Sequence, residues 1–174
     1  MNGLTRLQDF LVQEGYEGIF VTSSTHLHYF AGFTGTAGVA FVTRDKAWFL
    51  TDSRYTEQAQ GQCEGYTVIQ YQQPIWEEIK ALAEEHDVRA IAIEGDSMTV
   101  DEFGKVIDIF GDGFEFNSVQ LQGLRAVKRE DELVHMRKAA QIADEAFAVL
   151  LENIKVGMTE NEARIILETE MIKR

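Results

Sequence analysis

Residues 38–52 read GVAFVTRDKAWFLTD. Two runs dense in β-branched and aromatic side chains, 38–44 and 47–52, are separated only by Asp45 and Lys46. So short a polar gap between two such runs predicts a β-hairpin. A hairpin sets its strands antiparallel, so a sheet containing it cannot be wholly parallel. Downstream, strands and helices alternate. A strand at 66–71 (YTVIQY) precedes a helix that starts near Pro74 and runs to about Asp87; proline is tolerated in a first turn because that N–H has no intrahelical partner. A strand at 90–94 (AIAIE) leads to a helix from Val100 to Phe110 with Thr99 as candidate N-cap, then to a strand at 114–119 (FEFNSV). Upstream, Leu4, Leu7, Leu11 and Val12 recur at helical spacing in a helix ended near Gly15. Residues 18–23 (GIFVTS) read as a buried strand, and 54–61 as a short helix stopped at Gly61. This order predicts an α/β domain: a six-stranded mixed β-sheet flanked by helices.

After residue 120 the pattern changes. Residues 129–155 read as one long helix, with Leu133, Met136, Ala140, Ala143, Phe147, Leu150 and Ile154 spaced three and four apart. Gly157 ends it, and Thr159 with Glu162 forms a capping-box pattern that opens another helix. That helix reaches Arg174 with Ile165, Ile166, Leu167 and Met171 covered by nothing downstream, so the two helices are expected to begin a second, incomplete domain. The stripe from Leu133 to Ile154 is expected to pack on the α/β domain, on helix 159–174 or on another copy of the chain.

Composition narrows the function classes. Hydrophobic residues make 45% of the 174 and charged residues 26%, which excludes a disordered or collagen-like chain. Sixteen Lys and Arg against 29 Asp and Glu give a net charge of −13, a field that repels nucleic acid and anionic membrane surfaces, and no basic run offsets it. Cys63 is the single cysteine, so no intrachain disulfide forms. The first twenty residues intersperse charges among apolar positions, and no apolar run approaches the ~20 residues of a membrane span. A soluble, cytoplasmic protein is expected.

Several constellations could carry chemistry. His26 and His28 flank Leu27, a spacing that places both on one face of a strand, but a catalytic metal needs at least three ligands and no third motif accompanies them. Polar histidines at a strand end are the expected reading. Ser23, Ser24, Ser53 and Cys63 lack a nucleophile elbow or a base at fixed offset, and Glu64 beside Cys63 disfavours a thiolate. The glycines of 32–38 (GFTGTAG) match no dinucleotide or Walker pattern and precede a strand rather than a helix. Two readings stand there: a flexible connection, or a loop whose bare backbone admits a ligand or a neighbouring chain. In 51–55 (TDSRY), Asp52 and Arg54 read as a local cap and ion pair in preference to a carboxylate-binding arginine.

Three segments together carry a family resemblance: 29–38 (YFAGFTGTAG), 50–59 (LTDSRYTEQA) and 124–147 (LRAVKREDELVHMRKAAQIADEAF). The third is the most specific and is similar to the linker L-R-x-x-K-x-x-x-E-(L/I)-x-x-M-R-x-A, continued by Gly157, Met158, Thr159 and Glu160 as a G-x-T-E turn. The chain resembles the N-terminal domain of the creatinase/prolidase/aminopeptidase P family, the Xaa-Pro peptidases of the pita-bread class. The resemblance implies an N-terminal domain over 1–123, and over 124–174 the linker and first helices of an incomplete pita-bread catalytic domain. It implies a full-length hydrolase, a metal-dependent Xaa-Pro dipeptidase or aminopeptidase that acts on proline-containing peptides. That enzyme would use two divalent ions, manganese or cobalt, held by two Asp, one His and two Glu. None of those ligand motifs occurs here, so no catalytic residue and no metal ligand is assigned to this chain, and the 174 residues alone are expected to be inactive. The resemblance further implies a homodimer in which this domain shapes the substrate pocket, through Phe33, Thr34 and Thr36 with His28 and Tyr29 at the loop's base; Arg54 completes the candidate set. A catalytically inactive peptidase-like binding module and a creatinase-type amidinohydrolase are the alternatives.

Overall fold

A computed structural model describes residues 2–174, which divide into two compact units, one up to Arg125 and one from Ala126. In the first, α1 (Gly3–Glu14) leads to β1 (Gly18–Val21), α2 (Ser24–Ala31), the hairpin β2 (Val39–Thr43) and β3 (Ala47–Thr51), and α3 (Thr56–Gln62). Then β4 (Thr67–Gln70), α4 (Ile75–Glu85), β5 (Ala90–Glu94), α5 (Val100–Phe110) and β6 (Glu115–Val119) follow, with a short 3₁₀ turn at Gln122–Arg125. The six strands form one mixed sheet in the order β4-β3-β2-β1-β5-β6. Only the β1–β2 and β2–β3 pairings are antiparallel, so β2 alone runs against the other five.

Strand alternation divides the core into two layers. Ile19, Val21, Ala40, Val42, Phe49 and Ala92 face Leu7, Leu11, Leu27, Phe30 and Ala59 of α1, α2 and α3. Their neighbours Phe20, Phe41, Trp48, Leu50, Ile91 and Ile93 face Ile79, Ala83, Val106 and Phe110 of α4 and α5. Both faces are covered, which is why β1, β2 and β3 are buried at every position and read as apolar runs. Thr99 caps α5 as its sequence predicts, in a reciprocal bond with Glu102.

Two expectations need correction. Residues 24–31 are helix α2, not the strand that the His26–His28 spacing had suggested. On a helix two residues apart do not share a face: His26 is buried and His28 exposed. The short helix also passes Gly61 and ends at Gln62.

The second unit consists of α6 (Glu130–Asn153) and α7 (Glu160–Ile172), packed on each other, with the expected capping box of Thr159 and Glu162. Of the predicted α6 stripe Leu150 is buried, together with Ala146, which lies outside it; Met136, Phe147 and Ile154 stay about half exposed.

Candidate functional site

Topology brings the candidate segments to one edge. Because β1, β3 and β5 run in the same direction, their carboxyl ends lie together: α2 leaves β1 there, TDSRY leaves β3 and Glu94 closes β5. The reversed strand β2 begins at that same edge, so the 32–38 loop enters it there. In sheets of this kind ligands gather outside the carboxyl ends of the strands.

The loop is held in place by α3 and the TDSRY turn. Gly32 closes α2 in the left-handed region (φ 75°), a conformation that favours glycine, and donates its N–H to His28 O. Phe33 is buried, its ring 4.5 Å from Phe49 and 5.8 Å from Tyr55. Thr34 N donates to Gln62 Oε1 at 3.0 Å, and Thr34 Oγ1 accepts from the amides of Gln58 and Gln62. Thr36 Oγ1 pairs with Tyr55 Oη at 2.8 Å, and Thr51 Oγ1 donates to Ala37 O at 2.7 Å. A Cβ on Gly35 would stand 2.4 Å from the Phe33 ring and 2.8 Å from that of Tyr55, so the loop closes over these rings only with glycine there. Of the two readings of GFTGTAG, a flexible connection does not describe a segment tied at five of its seven residues.

Arg54 projects from the adjoining turn. Asp52 Oδ1 accepts from Arg54 N at 2.9 Å, Asp52 Oδ2 accepts from Arg54 Nη2 at 2.6 Å, and the guanidinium lies 5.4 Å over the Tyr55 ring. The guanidinium bond holds the Asp52 carboxyl below the usual carboxylate range. Asp52 does not cap α3, whose N-cap is Tyr55; it closes the turn ahead of it. Tyr55 thus touches Phe33, Thr36 and Arg54 and joins three of the six candidates, a role that sequence reading missed although the tyrosine stands within the quoted TDSRY. Thr34 joins the group through Gln62 and Gln58. His28 is exposed on α2, and Tyr29 turns to α1, its Oη accepting from Arg6 Nη1 at 2.7 Å.

Sequence reading also missed Glu94. It is fully buried, and Oε2 accepts from Thr22 N (2.5 Å), Ser23 N (2.9 Å) and Thr22 Oγ1 (3.3 Å), while Oε1 meets His26 Nδ1. The one available signal was a carboxylate ending the apolar run AIAIE.

The exposed threonine hydroxyls bond to amides and a phenol, not to a base, so the loop offers shape and hydrogen bonds without an activated nucleophile. Among the described residues no three His, Cys, Asp or Glu side chains converge in a way that could hold a metal ion. No described helix is long and apolar enough to cross a membrane.

Residues 4–127 match the sequence profile of the Creatinase/Prolidase N-terminal domain. The chain is 34% identical to an uncharacterised peptidase of Bacillus subtilis, YqhT, over 90% of this chain and 45% of that one. It is 30% identical to an Xaa-Pro dipeptidase of Lactobacillus delbrueckii subsp. lactis, over 90% and 46%. An Xaa-Pro dipeptidase from Bacillus anthracis superposes with a TM-score of 0.89 at 33% identity, over 98% of this chain and 48% of that one. The chain therefore spans about half the length of these relatives.

Proposed function

The chain belongs to the creatinase/prolidase N-terminal domain family, and from that premise we propose that it is the non-catalytic domain of a metal-dependent Xaa-Pro dipeptidase or aminopeptidase. In this reading it walls the substrate pocket and supports a cytoplasmic homodimer. The two divalent ions, manganese or cobalt, and the groups that activate water belong to the rest of that protein. Residues 1–123 are the domain proper, and 124–174 are the linker and the first two helices of the catalytic half. The reading rests above all on the 33–37 loop: uncharged, tied down from beneath by Tyr55, Gln58 and Gln62, and presenting Thr34 and Thr36 outward. A rigid wall of this kind selects short peptides by excluding longer ones and contributes to binding without entering the bond-breaking step.

The test uses the full-length protein with manganese, comparing Ala-Pro with longer Ala-Pro-initiated peptides. Thr36→Val releases the loop from Tyr55. It is expected to raise KM for the dipeptide about threefold to tenfold and to narrow the preference between the peptides, with kcat held within about twofold. A KM and a length preference equal to wild type would remove the pocket role.

A further inference from the structure

We infer that Glu94, acting with His26, is a positioning residue that sets where the 33–37 loop stands, an inference that rests on the pocket-wall reading above. Helix α2 joins the two places. It spans eight residues, about 12 Å. At one end its N-cap, Ser23, makes no side-chain cap bond. Glu94 reaches across from β5 and accepts from the N–H groups of Thr22 and Ser23, which lead into the helix, and from the Thr22 hydroxyl, and it meets His26 in the first turn.

A buried carboxylate is costly unless hydrogen-bonded, and one short segment, 22–26, supplies all of these donors. The His26 ring is buried too, and Glu94 is its only hydrogen-bond partner among the described residues, Nε2 having none. At the other end the helix hands directly to the loop: Gly32 N donates to His28 O (3.0 Å) and Phe33 N to Leu27 O (3.3 Å). Phe33 then locks between Phe49 and Tyr55. A shift or rotation of α2 at the Glu94 end therefore moves the carbonyls on which the loop begins. The connection is made of rigid helix and direct bonds, and a misplacement of about 1 Å is enough to weaken substrate positioning.

The full-length enzyme again provides the test, with KM and kcat measured separately on Ala-Pro. Glu94→Ala orphans the two backbone N–H groups and frees His26. It is expected to raise KM about tenfold with kcat within about threefold, once normalised to the folded fraction. Glu94→Gln keeps an oxygen for Thr22 N and Ser23 N and is expected to bring KM back to within about threefold of wild type. A purely structural glutamate would lower the melting temperature and leave KM of the folded enzyme unchanged, which overturns the proposal. Should Glu94→Ala fail to fold, His26→Ala carries the same readout, since it removes one partner and leaves the backbone bonds. Thr36→Val separates the two readings. If it raises KM while the Glu94 and His26 variants do not, only the positioning role falls. If none of them moves KM, the pocket wall falls as well.

Discussion

Tyr55 and Gly35 show how narrow the tolerances of the loop are. The phenol bonds to Thr36, its ring meets the edge of Phe33, and the Arg54 guanidinium lies over it. Such a crossing of rings and backbone works only where the chain has no side chain to spare, as at Gly35. Cys63 lies behind the same loop in the core shared by Phe33 and Phe49. Burial pushes its thiol up to about 11, so at pH 8 only about one thiol in a thousand is ionised. Its reaction with a disulfide reagent at pH 8 is expected to be at least about a hundredfold slower in the native chain than in urea. Equal rates would mean that this layer of the core is open.

At the scale of elements, the entry to β5 is held by a second glutamate. Glu17 Oε2 accepts from Arg89 N (2.6 Å) and Ala90 N (3.0 Å), and these bonds, Ala90's first, lower its pKa from 4.5. The unfolded chain therefore holds the proton more tightly than the native one. The contribution is complete above about pH 4.5 and is lost as pH falls through the lower native value. Glu17→Gln is expected to cost about 1 kcal/mol at pH 7, with the gap to wild type closing as urea midpoints are taken below pH 4.5. A gap that stays constant with pH would contradict this. Strands β1, β2, β3 and β5 were legible as apolar runs ended by turn residues, β4 and β6 from their β-branched and aromatic side chains, and α5 because Thr99 and Glu102 form a reciprocal cap. Helix α2 was not. STHLHYFA is two turns long, rich in Thr, His and aromatic residues of weak helix propensity, and its N-cap makes no side-chain bond. The carboxylate that holds the entry to α2 is Glu94, 71 residues beyond Ser23 in the chain, where no local pattern reaches.

For the whole molecule, the fold follows from hydrophobic pattern and turn chemistry, and the candidate site only in part. Phe33, Thr34, Thr36 and Arg54 were grouped by the family resemblance, since glycines and TDSRY by themselves mark only loops, whereas Tyr55 and Glu94 gain their importance from three-dimensional contacts. His28 and Tyr29 share α2 with the loop's origin, and Tyr29 serves the α1 interface through Arg6. In the proposed reading these surfaces belong to a domain that forms a wall while bond cleavage is carried out by other residues. That division is tested most directly by assaying Ala-Pro hydrolysis with added manganese for the full-length protein and for the purified 174-residue chain side by side. The full-length protein is expected to turn the peptide over and the 174-residue chain to show none; turnover by the metal-loaded 174-residue chain on its own would contradict the account.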